Sequence, residues 1–327
     1  MNRYPYHQSP LFRLSTRKKL AEVLLVARAE LLQAAKHPAD YYIVFTPKKV
    51  RRGRKARTCQ QPRKPFLYRL HRRVKVLLSR IETPPYLHSA VKGRSYITNA
   101  SAHLDKADEG LATVDLRTFF PSVSEEAILR FFLHKMECAP DVARILARVL
   151  TYNGHLATGS PVSPLLSFFA HQDMFDEIYE IAARAGVSMA LYVDDMSFAG
   201  AGASPALVFR VGQLARRNGL ETHKERIWAG TGPKTVTGTV LDGGEIRLPN
   251  RRYLQLHNTL RALKRTNDKR QRFNDLQVAI GLLYEAAQFD PRYRSTAEQL
   301  VSEQRVLRKE LGIKPKRRRR RLVDHRA

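Results

Sequence analysis

The stretch Ala190-Leu191-Tyr192-Val193-Asp194-Asp195-Met196-Ser197-Phe198 reads as two short strands of small and apolar side chains around a turn that carries two adjacent carboxylates. Successive residues of an extended chain point to opposite faces, so a tight turn is needed to bring both Asp side chains toward one point. Carboxylates gathered in a cleft repel one another and lose hydration, and a divalent cation between them offsets both costs. Asp is also a common turn former. Taken alone, the pair is first of all a solvated hairpin turn, and a metal site requires a further carboxylate from elsewhere in the chain.

Leu111-Ala112-Thr113-Val114-Asp115 supplies one, as a β-run that ends in an acid. The end of a strand is a rigid platform, because its neighbours are locked by packing. A helix is expected from Ser124 to Met136, begun by Ser124 with Glu125 and Glu126.

Composition points to the partner. The chain has 327 residues, 43% of them hydrophobic, enough for about two domains. Its 58 Lys and Arg against 30 Asp and Glu leave a formal charge of +28, which a phosphate backbone neutralises. An anionic membrane is the competitor, but there is no run of about 18 apolar residues and no lipidation signal. The first fourteen residues hold no apolar segment ahead of a cleavage site, and Cys59 and Cys138 are too few for a disulfide framework or a zinc cluster. The expectation is a cytoplasmic protein with no membrane association.

The remaining stretches supply scaffold and cations. Residues 17–36 place apolar side chains at three- and four-residue spacing and predict one amphipathic helix. Residues 41–81 contain no acid, while cations crowd in on a basic hairpin (strands 41–46 and 56–60, Gly53 in the turn). A one-sign block reads as a phosphate-binding surface, and Lys55 and Arg57 alternate onto one strand face suited to a triphosphate or a template strand. Helical spacing returns over 65–80, and Asn99 is placed to cap a short helix reaching His103. Gly159 and Ser160 sit in a turn where backbone can approach a base pair closely, before a long apolar helix over 165–184. A helix over 204–219, strands over 235–240 and 245–248, three basic helices (251–265, 274–288, 295–312) and a cationic, disordered tail from Lys314 complete the chain.

Asp115 in a strand, Gly159-Ser160-Pro161 before a helix, Tyr192-Val193-Asp194-Asp195 in a hairpin and Lys224 after a helix resemble the ordered palm motifs of reverse transcriptases. Asn99-Ala100-Ser101-Ala102-His103 and Val236-Thr237-Gly238 resemble the two short motifs that mark the retron members of that family. The chain departs from the retron pattern at Val193, where Ala is more usual, and from many reverse transcriptases at Thr158, where Gln is common. Group II intron enzymes, and a catalytically silent RNA-binding scaffold for an effector, are the alternatives.

The resemblance implies an α+β right-hand polymerase: an N-terminal helix and fingers over 1–110, a palm with an antiparallel sheet over 111–248 (fingers elements interleaved around 125–185), a helical thumb over 249–313 and the tail over 314–327. It implies two Mg²⁺ ions on Asp115, Asp194 and Asp195, with the Leu116 carbonyl a further ligand, and Lys224 as proton donor to pyrophosphate. Phe120 would gate against a ribose 2′-hydroxyl. Lys55, Arg57, Gly159, Ser160 and Tyr192 would line the substrate site, and Asn99, His103, Val236, Thr237 and Gly238 would meet RNA. The implied partners are dNTPs, a dedicated structured non-coding RNA and its branched RNA–DNA product (msDNA) primed from a guanosine 2′-hydroxyl, a separate anti-phage effector, and a host RNase H.

Overall fold

The computed structural model of the chain describes residues 3–47 and 58–314. Where one helix is expected over 17–36, two form, α1 (Arg17–Leu24) and α2 (Arg28–Lys36). Leu25 ends the first in left-handed backbone (φ 58°, ψ 47°). Its N–H donates to Glu22 O at 3.1 Å and that of Val26 to Ala21 O at 3.0 Å, the Schellman pattern. β1 (Tyr42–Phe45) and β2 (Cys59–Pro62) pair antiparallel, Tyr42 opposite Pro62. Gly53, Lys55 and Arg57 lie outside the described residues. α3 (Phe66–Leu78) buries Leu67, Leu70, Val74, Leu77 and Leu78 at the expected spacing. α4 (Tyr96–Ser101) is capped by Ser95 rather than Asn99: Ser95 Oγ accepts from the Ile97 and Thr98 N–H groups, and Thr98 Oγ1 accepts from the Ser95 N–H.

β3 (Gly110–Leu116) leads into α5 (Phe119–Ser122) and α6 (Glu125–Arg130). Ser124 caps α6 as expected, and the helix widens into a π-turn over Phe131–Lys135. After α7 (Pro140–Leu150) and a minimal hairpin, β4 (Thr151–Tyr152) and β5 (His155–Leu156), come α8 (Ser163–Ala170) and α9 (Gln172–Arg184). One helix is expected over 165–184, but His171 (φ −123°, ψ 19°) divides it. Its buried ring lies 6.2 Å from that of Phe119. β6 (Ser188–Tyr192), β7 (Asp195–Ala199), α10 (Pro205–Arg217), β8 (Thr222–Ala229), β9 (Lys234–Val236) and β10 (Thr239–Asp242) follow. The single strand expected over 235–240 is a hairpin, turned by Thr237 (φ 44°) and Gly238 (φ 88°) between the paired residues Val236 and Thr239. Two positive φ values in a two-residue turn suit the twist of the flanking strands.

β6, β7, β3 and β8 form one antiparallel sheet in that order. The outer edge of β6 is covered, since Leu191 N–H donates to Tyr86 O (2.7 Å) and His88 N–H to Leu191 O (2.9 Å). Residues directly opposite on neighbouring strands share a face. One face carries Ala112, Val114, Met189, Leu191, Met196 and Phe198, all buried in the main core with Phe168 and Phe175 of α8 and α9. Each large apolar side chain so buried contributes about 1.5–3 kcal/mol. The other face is therefore the one left to chemistry.

The chain divides after Glu245 into two compact units. In the second, α11 (Asn250–Arg265), α12 (Lys269–Ala286) and α13 (Tyr293–Glu310) form the basic helices expected there, α12 starting five residues early behind an Asp268 cap. They pack through Leu256, Leu283 and Ala297 at one cluster and Leu263, Phe273, Leu276 and Leu307 at another. Among the described residues no helix is long and apolar enough to cross a membrane, and Cys59 and Cys138 are not joined in a disulfide. The tail beyond Lys314 lies outside the described residues.

Candidate active site

The second face of the sheet gathers the acids. Asp115 on β3 stands opposite Asp195 on β7, and Tyr192 on β6 stands opposite Asp195 from the other side. Val193 and Asp194 form the two-residue turn between β6 and β7, and the Leu116 N–H donates to Asp194 O at 2.9 Å, tying that turn to the end of β3. Val193 takes φ 63°. A β-branched residue there carries backbone strain of about 1–3 kcal/mol, of the sort that persists where surrounding structure imposes it.

β8 was not foreseen, because Thr222-His223-Lys224-Glu225-Arg226 buries little and shows no alternation of apolar and polar residues. It pairs with β3 through a bulge: Asp115 faces His223 and Thr113 faces Arg226, so β8 holds one residue more than β3. Lys224 lies in that bulge with φ 54°. Bulges re-aim side chains; here Lys224 Nζ comes 2.6 Å from Asp115 Oδ2, and His223 Nε2 lies 3.4 Å from the same oxygen. Lys224 was expected beside the carboxylates, whereas His223 was missed.

Electrostatics concentrate on Asp195. Burial, then the charges of Asp194 and Asp115, push its carboxyl up to about 7. Among the described residues no three His, Cys, Asp or Glu side chains are arranged to hold a metal ion as they stand. Asp115 is satisfied instead by Lys224 and His223. Three hard oxygen donors, one of them held against its neighbours' charge, nevertheless form the donor set that a hard divalent cation requires.

The other expected site residues fall into separate places. Phe120 is half-buried in α5, while its neighbour Phe119 is the buried ring that stacks on it. Gly159 allows a close approach, but to this chain's own β2: its N–H donates to Gln60 O at 2.9 Å, and a Cβ there would stand 2.7 Å from that oxygen. Ser160 is 6% exposed, its Oγ 2.7 Å from His71 Nδ1, so its hydroxyl is spent inside the core. Tyr192 is partly exposed on the acid-bearing face.

Asn99 and His103 are completely buried, which corrects the expectation that they meet RNA directly. Asn99 Nδ2 donates to Ser197 Oγ at 3.3 Å. His103 Nε2 lies 2.8 Å from Ser197 Oγ, and its Nδ1 lies 2.9 Å from Ser188 Oγ. Val236 is likewise buried, whereas Gly238 has open space around its α-carbon. Thr237 Oγ1 donates to Tyr96 O at 3.1 Å, so the two short motifs meet at α4.

With this geometry established, known proteins give the context. No family model matches the chain. It is 31% identical over 126 residues to the Retron Se72 reverse transcriptase of Salmonella heidelberg, covering 38% of this chain and 32% of that one. It is 22% identical over 233 residues to the Retron Ec86 reverse transcriptase of Escherichia coli, covering 69% of this chain and 72% of that one. The first match thus spans about a third of its relative's length. A solved foamy viral protease-reverse transcriptase in complex with double-stranded DNA superposes with a TM-score of 0.46 at 16% identity, over 80% of this chain and 38% of that one. The similarity in sequence is to retron reverse transcriptases.

Proposed function

We propose that this chain is an RNA-directed DNA polymerase of the retron type. It copies a dedicated structured non-coding RNA from a guanosine 2′-hydroxyl into branched RNA–DNA, in the cytoplasm, as part of an anti-phage system with a separate effector, host RNase H removing template. The observation that carries this reading is the opposition of Asp115 and Asp195 on one sheet face with Asp194 in the adjoining turn. Similarity to retron reverse transcriptases supports it. In this reading the four-stranded sheet is the palm, β1 and β2 with the helices before β3 are fingers, and α11 to α13 are the thumb.

Asp115, Asp194 and Asp195 would hold two Mg²⁺ ions, whose chemistry when bound is activation of the primer hydroxyl and neutralisation of the leaving pyrophosphate. Lys224 holds a proton at Nζ beside Asp115, where an ammonium can release it to a departing pyrophosphate. Tyr192, which pairs with Asp195, and Phe120 would border the bound nucleotide. α11, which contains no acid and exposes Arg251, Arg261, Lys264 and Arg265, suits a phosphate backbone.

The test is to express the chain with its neighbouring upstream DNA and to analyse the nucleic acid that copurifies, for wild type and for Asp194→Asn with Asp195→Asn. The expected outcome is a discrete single-stranded DNA that shifts on treatment with RNase and debranching enzyme and is absent from the double variant. RNA without DNA, identical in both proteins, would instead make the chain an RNA-binding scaffold.

A further inference from the structure

The acid-bearing face of the sheet is covered below the carboxylates, and what covers it is polar. Asp195 and Ser197 share a face of β7, since they are two residues apart in one strand. Ser197 stands opposite Thr113 and Ala190, and Ser188 lies two residues further along β6 from Ala190. Onto these hydroxyls α4 and the turn after it deliver two fully buried side chains, Asn99 to Ser197 and His103 to both Ser197 and Ser188. One imidazole therefore bridges the two strands that flank the Val193-Asp194 turn.

From this geometry we infer that Asn99 and His103 are positioning residues for the polymerase reaction. They hold the β6–β7 hairpin in the register that sets Asp195 opposite Asp115, and α4 is the rigid base from which they act. The inference rests on the polymerase reading for its catalytic consequence, and on hydrogen bonds alone for its structural one.

Each part of that base is fixed independently. The capping box of Ser95 and Thr98 sets the start of α4, and His88 Nδ1 lies 2.9 Å from Thr98 Oγ1. Arg94 Nη1 donates to the carbonyls of Pro84 (2.8 Å) and Leu87 (2.6 Å), in the segment that also bonds to Leu191 of β6. Thr237 ties the β9–β10 turn to Tyr96 O. Burial keeps the His103 imidazole neutral, its pKa pushed down to about 4, with one ring nitrogen left to accept and the other to donate. A purely apolar contact would bury the same surface, but it would not define the register of two strands to a fraction of an ångström. Directional bonds to one hydroxyl on each strand do.

The experiment uses the full chain with an annealed RNA template and DNA primer, in single-turnover incorporation of one dNTP, for wild type, Ser197→Ala, His103→Leu and His103→Gln. Amide hydrogen exchange of the 188–199 hairpin is read on the same proteins. The expected result is that Ser197→Ala and His103→Leu lower the maximal rate by roughly 10- to 100-fold, as a small misplacement of reacting groups does. The dNTP dissociation constant should change by less than about two-fold, because ground-state binding is not what is lost. The Mg²⁺ midpoint should rise, hairpin exchange should accelerate, and His103→Gln, which keeps a donor and an acceptor, should recover most of the rate. Full rates in both Ser197→Ala and His103→Leu, or a loss that leaves hairpin exchange unchanged, would overturn the inference. Should His103→Leu not fold, Ser197→Ala decides, since it removes one oxygen atom. A wild-type chain that extends no primer would refute the polymerase reading, while hairpin exchange would still judge whether these residues hold the hairpin.

Discussion

Asp195 carries the largest electrostatic conflict at the site, and it makes a measurable difference at the level of one residue. Its folded pKa of about 7 lies above the ordinary carboxylate value of 3.8. A raised carboxyl binds its proton more tightly in the fold, so this contribution to stability is complete below about pH 4 and is lost as pH rises through about 7. In EDTA, Asp195→Asn is therefore expected to raise the thermal midpoint at pH 8 by a few degrees, with the gain vanishing toward pH 4. Differential scanning fluorimetry across that range checks it. The acids were legible in the sequence because their chemistry is carried by the residue type itself. Asn99, His103 and Ser160 were misread for the opposite reason: a polar side chain in a short motif is equally suited to a ligand and to a buried hydroxyl, and burial is decided by residues distant in sequence. His223 left no signal, since only the bulge opposite β3 brings it to Asp115.

Among the elements, those with strong periodicity and a usual stop signal were legible, including α3, α10 and the three basic helices of the second unit. α1 and α2 were read as one helix because Leu25, exposed and non-glycine, occupies a backbone region that Gly normally marks. That conflict gives a stabilising substitution. Leu25→Gly relieves a left-handed cost of about 1–2 kcal/mol and adds about 0.4–1 kcal/mol of unfolded-state entropy, leaving a net gain of roughly 0.5 kcal/mol. A higher urea midpoint at unchanged slope is the expected reading, and Leu25→Ala should show no such gain. β8 escaped notice because a half-exposed strand that carries four charged or titratable side chains lacks the two-residue alternation that identifies strands. His171 divides α8 from α9 through its packing against Phe119, a contact between segments about fifty residues apart, which no local pattern encodes.

For the molecule as a whole, four imidazoles buried among the described residues set its acid limit. His71, His88, His103 and His171 are each pushed down to about 4, with burial the first cause in every case. A histidine whose pKa is lower folded than unfolded resists protonation only in the fold, so its contribution to stability is complete above about 6.5 and is lost as pH falls toward 4. Four such groups outweigh the opposite trend of Asp195, and unfolding free energy is expected to decline steadily between those limits with net proton uptake, as urea titrations at successive pH values would record. The α+β class and the excess of cations were legible at this scale because both are sums over many residues. The link between distant motifs was not, because α4 joins them through single hydrogen bonds. That link bears on inheritance. Asn99 and His103 reach the hairpin through the hydroxyls of Ser188 and Ser197, so in descendants of this chain the four positions should change as a set. A substitution at 197 would leave 99 free to drift while Ser188 still holds 103, whereas position 237, which bonds to a backbone carbonyl, is released from any partner's identity.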